Sequence, residues 1–180
     1  MAHHTYPIMS IPLTFADKRL VETVLVGPDG GVHYTTTSTR GFGGRKLTTI
    51  TATSGLTGFI NWREKAIVLN GVQRGWDMLR SGGKWSKERE WNWGNRSFKL
   101  RYNHLHKELL ATPTVGDIAD TVRFTRYRPH LLHESEQAAI YFPPHMDEVE
   151  RMFLLMAILQ TEMHRQDVQA AASAAAGSAG

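Results

Sequence analysis

The chain has 180 residues, 41% of them hydrophobic, which suits one domain with a sizeable core and excludes wholesale disorder. It contains no cysteine, so a disulfide framework, a thiolate nucleophile and cysteine metal sites are all excluded. The net charge of +4 is unevenly spread: Lys84, Lys87, Arg89, Arg96, Lys99, Arg101 and Lys107 face only Glu88 and Glu90 over residues 84–107. Residues 134–150 reverse the sign, with five acids and no Lys or Arg, and such asymmetry creates a local positive field.

Residues 1–10 read as an N-terminal tail. They lack the roughly 7–15-residue apolar run of an export leader, so the expectation is a cytoplasmic protein. Strand signals begin at Ile11-Pro12-Leu13-Thr14-Phe15 and resume from Leu20 to Val26. Gly27-Pro28-Asp29-Gly30-Gly31 is a dense turn signal, followed by a Thr-rich strand over 32–39 that stops at Gly41-Phe42-Gly43-Gly44. The β-branched run 46–53 ends at Ser54-Gly55, and 59–62 with 66–69 flank the charged turn Arg63-Glu64-Lys65. Residues 97–102 alternate, with Phe98, Leu100 and Tyr102 on one face and Lys99 and Arg101 on the other, the period of a half-buried strand. The alternation over 120–128 is weaker, and 138–142 gives a last strand before Pro143-Pro144.

A single long helix is predicted over 146–169. Asp147 and Glu150 have the spacing of a capping box, acids cluster at its start, and His164 and Arg165 lie near its end, as the helix dipole prefers. Its centre, from Met152 through Leu159, is apolar on every side. A helix of that kind must be surrounded, yet the run is far short of the ~20 residues of a membrane span. Its surroundings are therefore expected to be the chain's own strands. Residues 170–180 are only Ala, Ser and Gly and read as a flexible tail, leaving one domain over 11–169.

Roughly ten short strands and one enclosed helix predict a mainly β fold. The expected form is a closed or nearly closed antiparallel barrel with the hydrophobic C-terminal helix through or against it. The alternative is an open sheet with the helix on one face, which would expose part of the apolar run.

The order Leu13-Thr14-Phe15, Gly30 with Tyr34 and Thr37, Thr48-Thr49, Ile60-Asn61-Trp62, Arg96-Ser97-Phe98, Val122-Arg123-Phe124 and the helical ending resembles a family of short, uncharacterised fungal proteins. The likeness runs from about Ile11 to Gln166. That family is similar in fold to the barrel shared by the tubby C-terminal, LURP-one-related and phospholipid-scramblase proteins. The resemblance implies a helix threaded through a β-barrel, and it brings no catalytic residues.

The basic segment is the first candidate for function. Lys84, Lys87, Arg89, Arg96, Lys99 and Arg101 could together hold phosphate groups, with Trp85, Trp91 and Trp93 beside them to enter a membrane interface or stack on a base. The simpler reading is a set of solvated charges, with the tryptophans filling the core. His104-x-His106 on a strand face and His130-x-x-His133 give two imidazole pairs, too few for a zinc site unless they meet in space. Structural or surface histidines are the expectation, and no metal is called for. The glycines before Arg45-Lys46 resemble a phosphate loop only in composition: they lack the Gly-Lys-Ser/Thr ending and precede a strand. There is no Gly-x-Ser-x-Gly elbow, Asp117 and Asp120 suit a turn, and the methionines of the helix suit core packing. The leading expectation is a non-enzymatic module without a cofactor that binds an anionic phospholipid surface or a protein partner. The alternative is an enzyme or small-ligand carrier with a pocket at one end of the barrel. Nucleic acid is disfavoured by the modest total charge.

Overall fold

The computed structural model describes residues 10–81, 88–130 and 134–177. Thirteen strands form one antiparallel sheet. They are β1 (Ile11–Phe15), β2 (Thr23–Val26), β3 (Val32–Gly41), β4 (Gly44–Ala52), β5 (Thr57–Asn61), β6 (Ala66–Leu69) and β7 (Val72–Gly75), then β8 (Arg80–Ser81), β9 (Glu88–Trp93), β10 (Arg96–Asn103), β11 (Glu108–Pro113), β12 (Val122–Thr125) and β13 (Ala139–Phe142). A short helix, α1 (Trp76–Leu79), separates β7 from β8, and α2 (Glu148–Gly177) ends the described chain.

Nearly every strand pairs with its neighbours in sequence; the exception is β1, which pairs with β13 and joins the first strands to the last. The sheet therefore ends at β7 and β8, and among the described residues no ladder joins them. The mainly β antiparallel sheet with its C-terminal helix is as expected, but backbone hydrogen bonds do not close it into a barrel. Side chains cross the seam instead. Helix α1 touches β7, β8 and β9, and the Arg74 guanidinium on β7 lies 5.1 Å over the Trp93 ring on β9.

The apolar run of α2 packs against strands from both halves of the sheet. All eight residues from Met152 to Leu159 are fully buried, and the helix contacts β4, β5, β6, β9 and β11. The inner face of the strands supplies Leu13, Phe15, Leu25, Ile50, Ile60, Ile67, Trp91, Phe98, Leu100 and Phe124. Gly58 on β5 is where the helix comes closest: a Cβ there would stand 3.0 Å from the Met156 thioether and 3.2 Å from Met152 Cγ. The Asp147 carboxylate accepts a hydrogen bond from the Glu150 N–H at 2.9 Å, which caps the first turn. Glu150 does not complete a reciprocal box, because its side chain turns towards Arg96.

Three expectations change. The helix begins at Glu148 and continues to Gly177, so residues 170–177, expected as a flexible tail, are helical and exposed. Strands β7, β8, β9 and β11 were not expected: the first two are very short, β9 carries charge on both faces, and Leu109-Leu110 breaks the alternation of β11. His104 and His106 lie in the turn after β10, not on a strand face. Among the described residues, no helix is long and apolar enough to cross a membrane.

Candidate functional site

Antiparallel order sends the turns after β1, β3, β5, β10 and β12 to one end of the molecule and the turns after β2, β4, β6, β9, β11 and β13 to the other. Helix α2 starts at the second end and runs back to the first, where Asp167 pairs with Arg45 beside the β3–β4 hairpin. The turns at this exit end are rich in cations: Lys18 and Arg19, then Arg40, Arg45 and Lys46, then Arg63 and Lys65, then Lys107, Arg126 and Arg128; of these Arg19, Arg40, Arg45 and Arg128 are paired with Asp17, Glu22, Asp167 and Glu136. The opposite end holds Asp29, Asp117, Asp120, Asp147, Glu148 and Glu150 against Arg96 and Arg151. The charge asymmetry of the sequence becomes an asymmetry along the helix axis.

A bulge shapes the exit end. On β3 and β4, Thr39 pairs with Leu47 but Arg40 pairs with Arg45, leaving Lys46 without a partner. The extra residue puts Arg45 on the inner face, where strict alternation would have put Lys46. Arg45 there lies 5.1 Å over the Trp62 ring. Trp62 donates its indole N–H to the buried Thr48 hydroxyl at 2.8 Å and meets Trp76 edge-on at 6.0 Å. Arg45, Trp62 and Trp76, with Arg40, Gln160, His164 and Asp167, line a cleft of about 380 Å3. On the other side of the hairpin a second cleft of about 500 Å3 adds Lys46, Arg63 and Phe42. The Phe42 side chain stands fully in solvent at the hairpin tip; Leu105 and Met78 are also exposed, at 84% and 73%.

Arg80 and Arg89 share the inner face with Trp91 and Leu100, their register partners, and both influence His164 on α2. Burial first, and then these two guanidiniums, hold the His164 imidazole below its usual proton affinity. Burial and Arg89 act on Arg80 in the same direction. Neither arginine forms an ion pair among the described residues. Two half-buried guanidiniums without a carboxylate repel each other, an arrangement that a bound anion relieves. Nearby, the buried Glu162 is fully used by Arg165, at 2.8 and 2.7 Å.

Of the six basic residues singled out in the sequence, the four that are described do not gather in one place. Lys84 and Lys87, with Trp85, lie outside the described residues. Lys99 and Arg101 point to the outer face, opposite Glu90 and Glu88 in the register, and Arg101 approaches Glu88 at 3.7 Å. Arg89 and Arg96 point inward but at opposite ends. Arg96 lies 3.1 Å from Glu150 and 3.5 Å from Asp120, so its charge is already met. Trp91 is wholly buried and Trp93 stacks on Phe153 at 5.3 Å, so both fill the core. Arg80, Arg45 and Phe42 were not among the candidate residues of the sequence. The glycine-rich hairpin was a visible signal, but the bulge that aims Arg45 inward was not.

His104 packs edge-on against Tyr102 at 4.7 Å, His130 approaches Glu136 at 3.4 Å, and His133 lies outside the described residues. No group of three or more His, Asp or Glu among the described residues could hold a metal ion. Comparison with protein-family models, with curated proteins and with solved structures finds no match.

Proposed function

We propose that the protein is a non-enzymatic module that docks its basic exit end on an anionic phospholipid surface. The observation that carries this reading is the pairing, at one end only, of unmatched inner-face cations with a fully exposed aromatic hairpin tip. Phe42 enters the interface, Lys46 and Arg63 flank it, and Arg80 and Arg89 meet headgroup phosphates. Each basic residue near such a surface contributes about 1 kcal/mol, so a handful gives reversible attachment. The same reading takes the curled sheet as a nearly closed barrel of the tubby and scramblase type. The Arg74–Trp93 bridge, the α1 connection and the enclosed helix support it.

Vesicle co-sedimentation tests the docking. Phosphatidylserine vesicles should bind the protein at low salt and release it at high salt, and neutral vesicles should not retain it. Reversing Lys46 and Arg63 to Glu together removes about 2 kcal/mol of attraction and weakens binding by at least roughly thirtyfold. Lys99→Glu, on the outer wall opposite Glu90, should bind like the parent protein. Equal loss from Lys99→Glu, or equal binding to neutral vesicles, would remove the assignment to the exit end.

A further inference from the structure

The cleft of about 380 Å3 at the exit end, between the β3–β4 hairpin and α2, has on its helix side a polar group that the rest of the protein leaves unused. Gln160 is 2% exposed, and its side-chain amide makes no hydrogen bond with any described residue. The amide oxygen and nitrogen are not sealed in, as the Trp76 and Trp91 indole nitrogens are, so the little access they keep is through the cleft that Gln160 lines. A buried amide without partners is costly, whereas a ligand that brings one donor and one acceptor would satisfy it. Glu162, the next buried polar residue of the helix, is by contrast fully used by Arg165 and Gln166.

The walls suit a flat, anionic partner. Trp62 and Trp76, both half-buried, line the cleft, and indoles take a flat heteroaromatic ring by stacking. Asp167, the one carboxylate on the wall, is paired with Arg45, so its charge is already met. His164, one turn beyond Gln160, lines the same cleft and feels Arg89 and Arg80, whose guanidiniums have no carboxylate. The volume lies within the roughly 300–1,000 Å3 of small-molecule sites.

We propose that this cleft binds an adenine nucleotide. The 6-amino group of adenine and the ring nitrogen next to it set a donor beside an acceptor, the edge that a glutamine amide matches with two hydrogen bonds. The ring lies against the Trp62 and Trp76 indoles, and the phosphate reaches Arg89 and Arg80 beside His164. A phosphate without a base leaves Gln160 unmet, and a base without a phosphate leaves the two guanidiniums unmet. Arg80 and Arg89 are shared with lipid docking, but Gln160 serves only the nucleotide and Lys46 and Arg63 only the membrane, so the two proposals fail separately.

Calorimetric titration of the whole protein without vesicles tests it, with adenosine monophosphate, adenosine, ribose 5-phosphate and the 6-dimethylamino analogue of adenosine monophosphate. The first should bind saturably. Adenosine and ribose 5-phosphate should each be weaker by about tenfold or more, and the dimethylamino analogue, which has no N–H to give, by roughly fivefold or more. Gln160→Leu removes an unpaired amide from a buried helix face, so it should keep the urea midpoint of the parent and weaken adenosine monophosphate by about tenfold. Lys46→Glu with Arg63→Glu should retain the preference for adenosine monophosphate over ribose 5-phosphate. No saturable binding of adenosine monophosphate, equal affinity for ribose 5-phosphate or the dimethylamino analogue, or parent-like binding by Gln160→Leu would overturn the proposal. The dimethylamino comparison uses the parent protein, so it decides the matter even if Gln160→Leu does not fold.

Discussion

Tyr34, 4% exposed, shows how burial of a single side chain sets a limit on stability. Burial, opposed by Arg151 and reinforced by Glu148, pushes its hydroxyl up to about 12. In the unfolded chain the same group ionises near ~10, so between those values the unfolded state holds fewer protons. Stability should therefore fall as pH rises through that interval, by up to about 3 kcal/mol at roughly 1.4 kcal/mol per pH unit. Urea midpoints measured from pH 9 upward should show Tyr34→Phe losing less than the parent protein. Glu150 also has a raised folded value, caused first by burial, with Arg96 opposing. Its contribution is thus present at acid pH and lost as pH rises through the folded value, the reverse of an ordinary ion-paired carboxylate. In the enclosed helix, Leu155→Asp places an unpaired charge where no solvent reaches and should prevent folding, seen as loss of a cooperative transition in circular dichroism. Gly58→Ala is milder, because the flexible Met156 end can shift, and should cost about 1–3 kcal/mol by overpacking.

Helix α2 has two halves with different physics. Up to Met163 most of its residues are buried, with Glu162 satisfied by Arg165 and Gln166. From 166 to 177 it is exposed throughout, and its Ala-rich composition alone favours the helical state. Removing residues 170–180 should lower the 222 nm ellipticity but change the unfolding free energy by less than about 0.5 kcal/mol, the usual range for exposed positions. The seam between β7 and β9 has no backbone ladder, so it depends on α1 and on Arg74 over Trp93. Arg74→Ala should destabilise by about 0.5–2 kcal/mol in urea melts, the range of a cation–π contact. Hydrogen exchange should then rise first in β7 and β8, the strands at the sheet's two ends.

For the molecule as a whole, antiparallel alternation converts local sequence into opposed ends. Basic turns recur at every second connection, and the acids of the α2 start lie at the other end. The structure thus offers two chemically different faces joined by one buried helix. Lipid docking at the basic end should weaken strongly with ionic strength, as exposed charges are screened, which vesicle titrations at low and high salt would measure.

Alternation at 97–102, the turn glycines at 27–31 and the all-round apolar run at 152–159 were legible in the sequence because each depends on neighbours a few residues apart. They sufficed for a mainly β fold, an enclosed C-terminal helix and its cap at Asp147. Basic residues could be counted from the same text, but not their company. Arg96 meets Glu150 from more than fifty positions away, Lys99 stands opposite Glu90 across a hairpin, and Arg45 turns inward because Lys46 beside it is left unpaired in the register with β3. Which charges stay free, and where the sheet remains unclosed, depends on pairing and burial between remote segments. Only the assembled tertiary structure decides those.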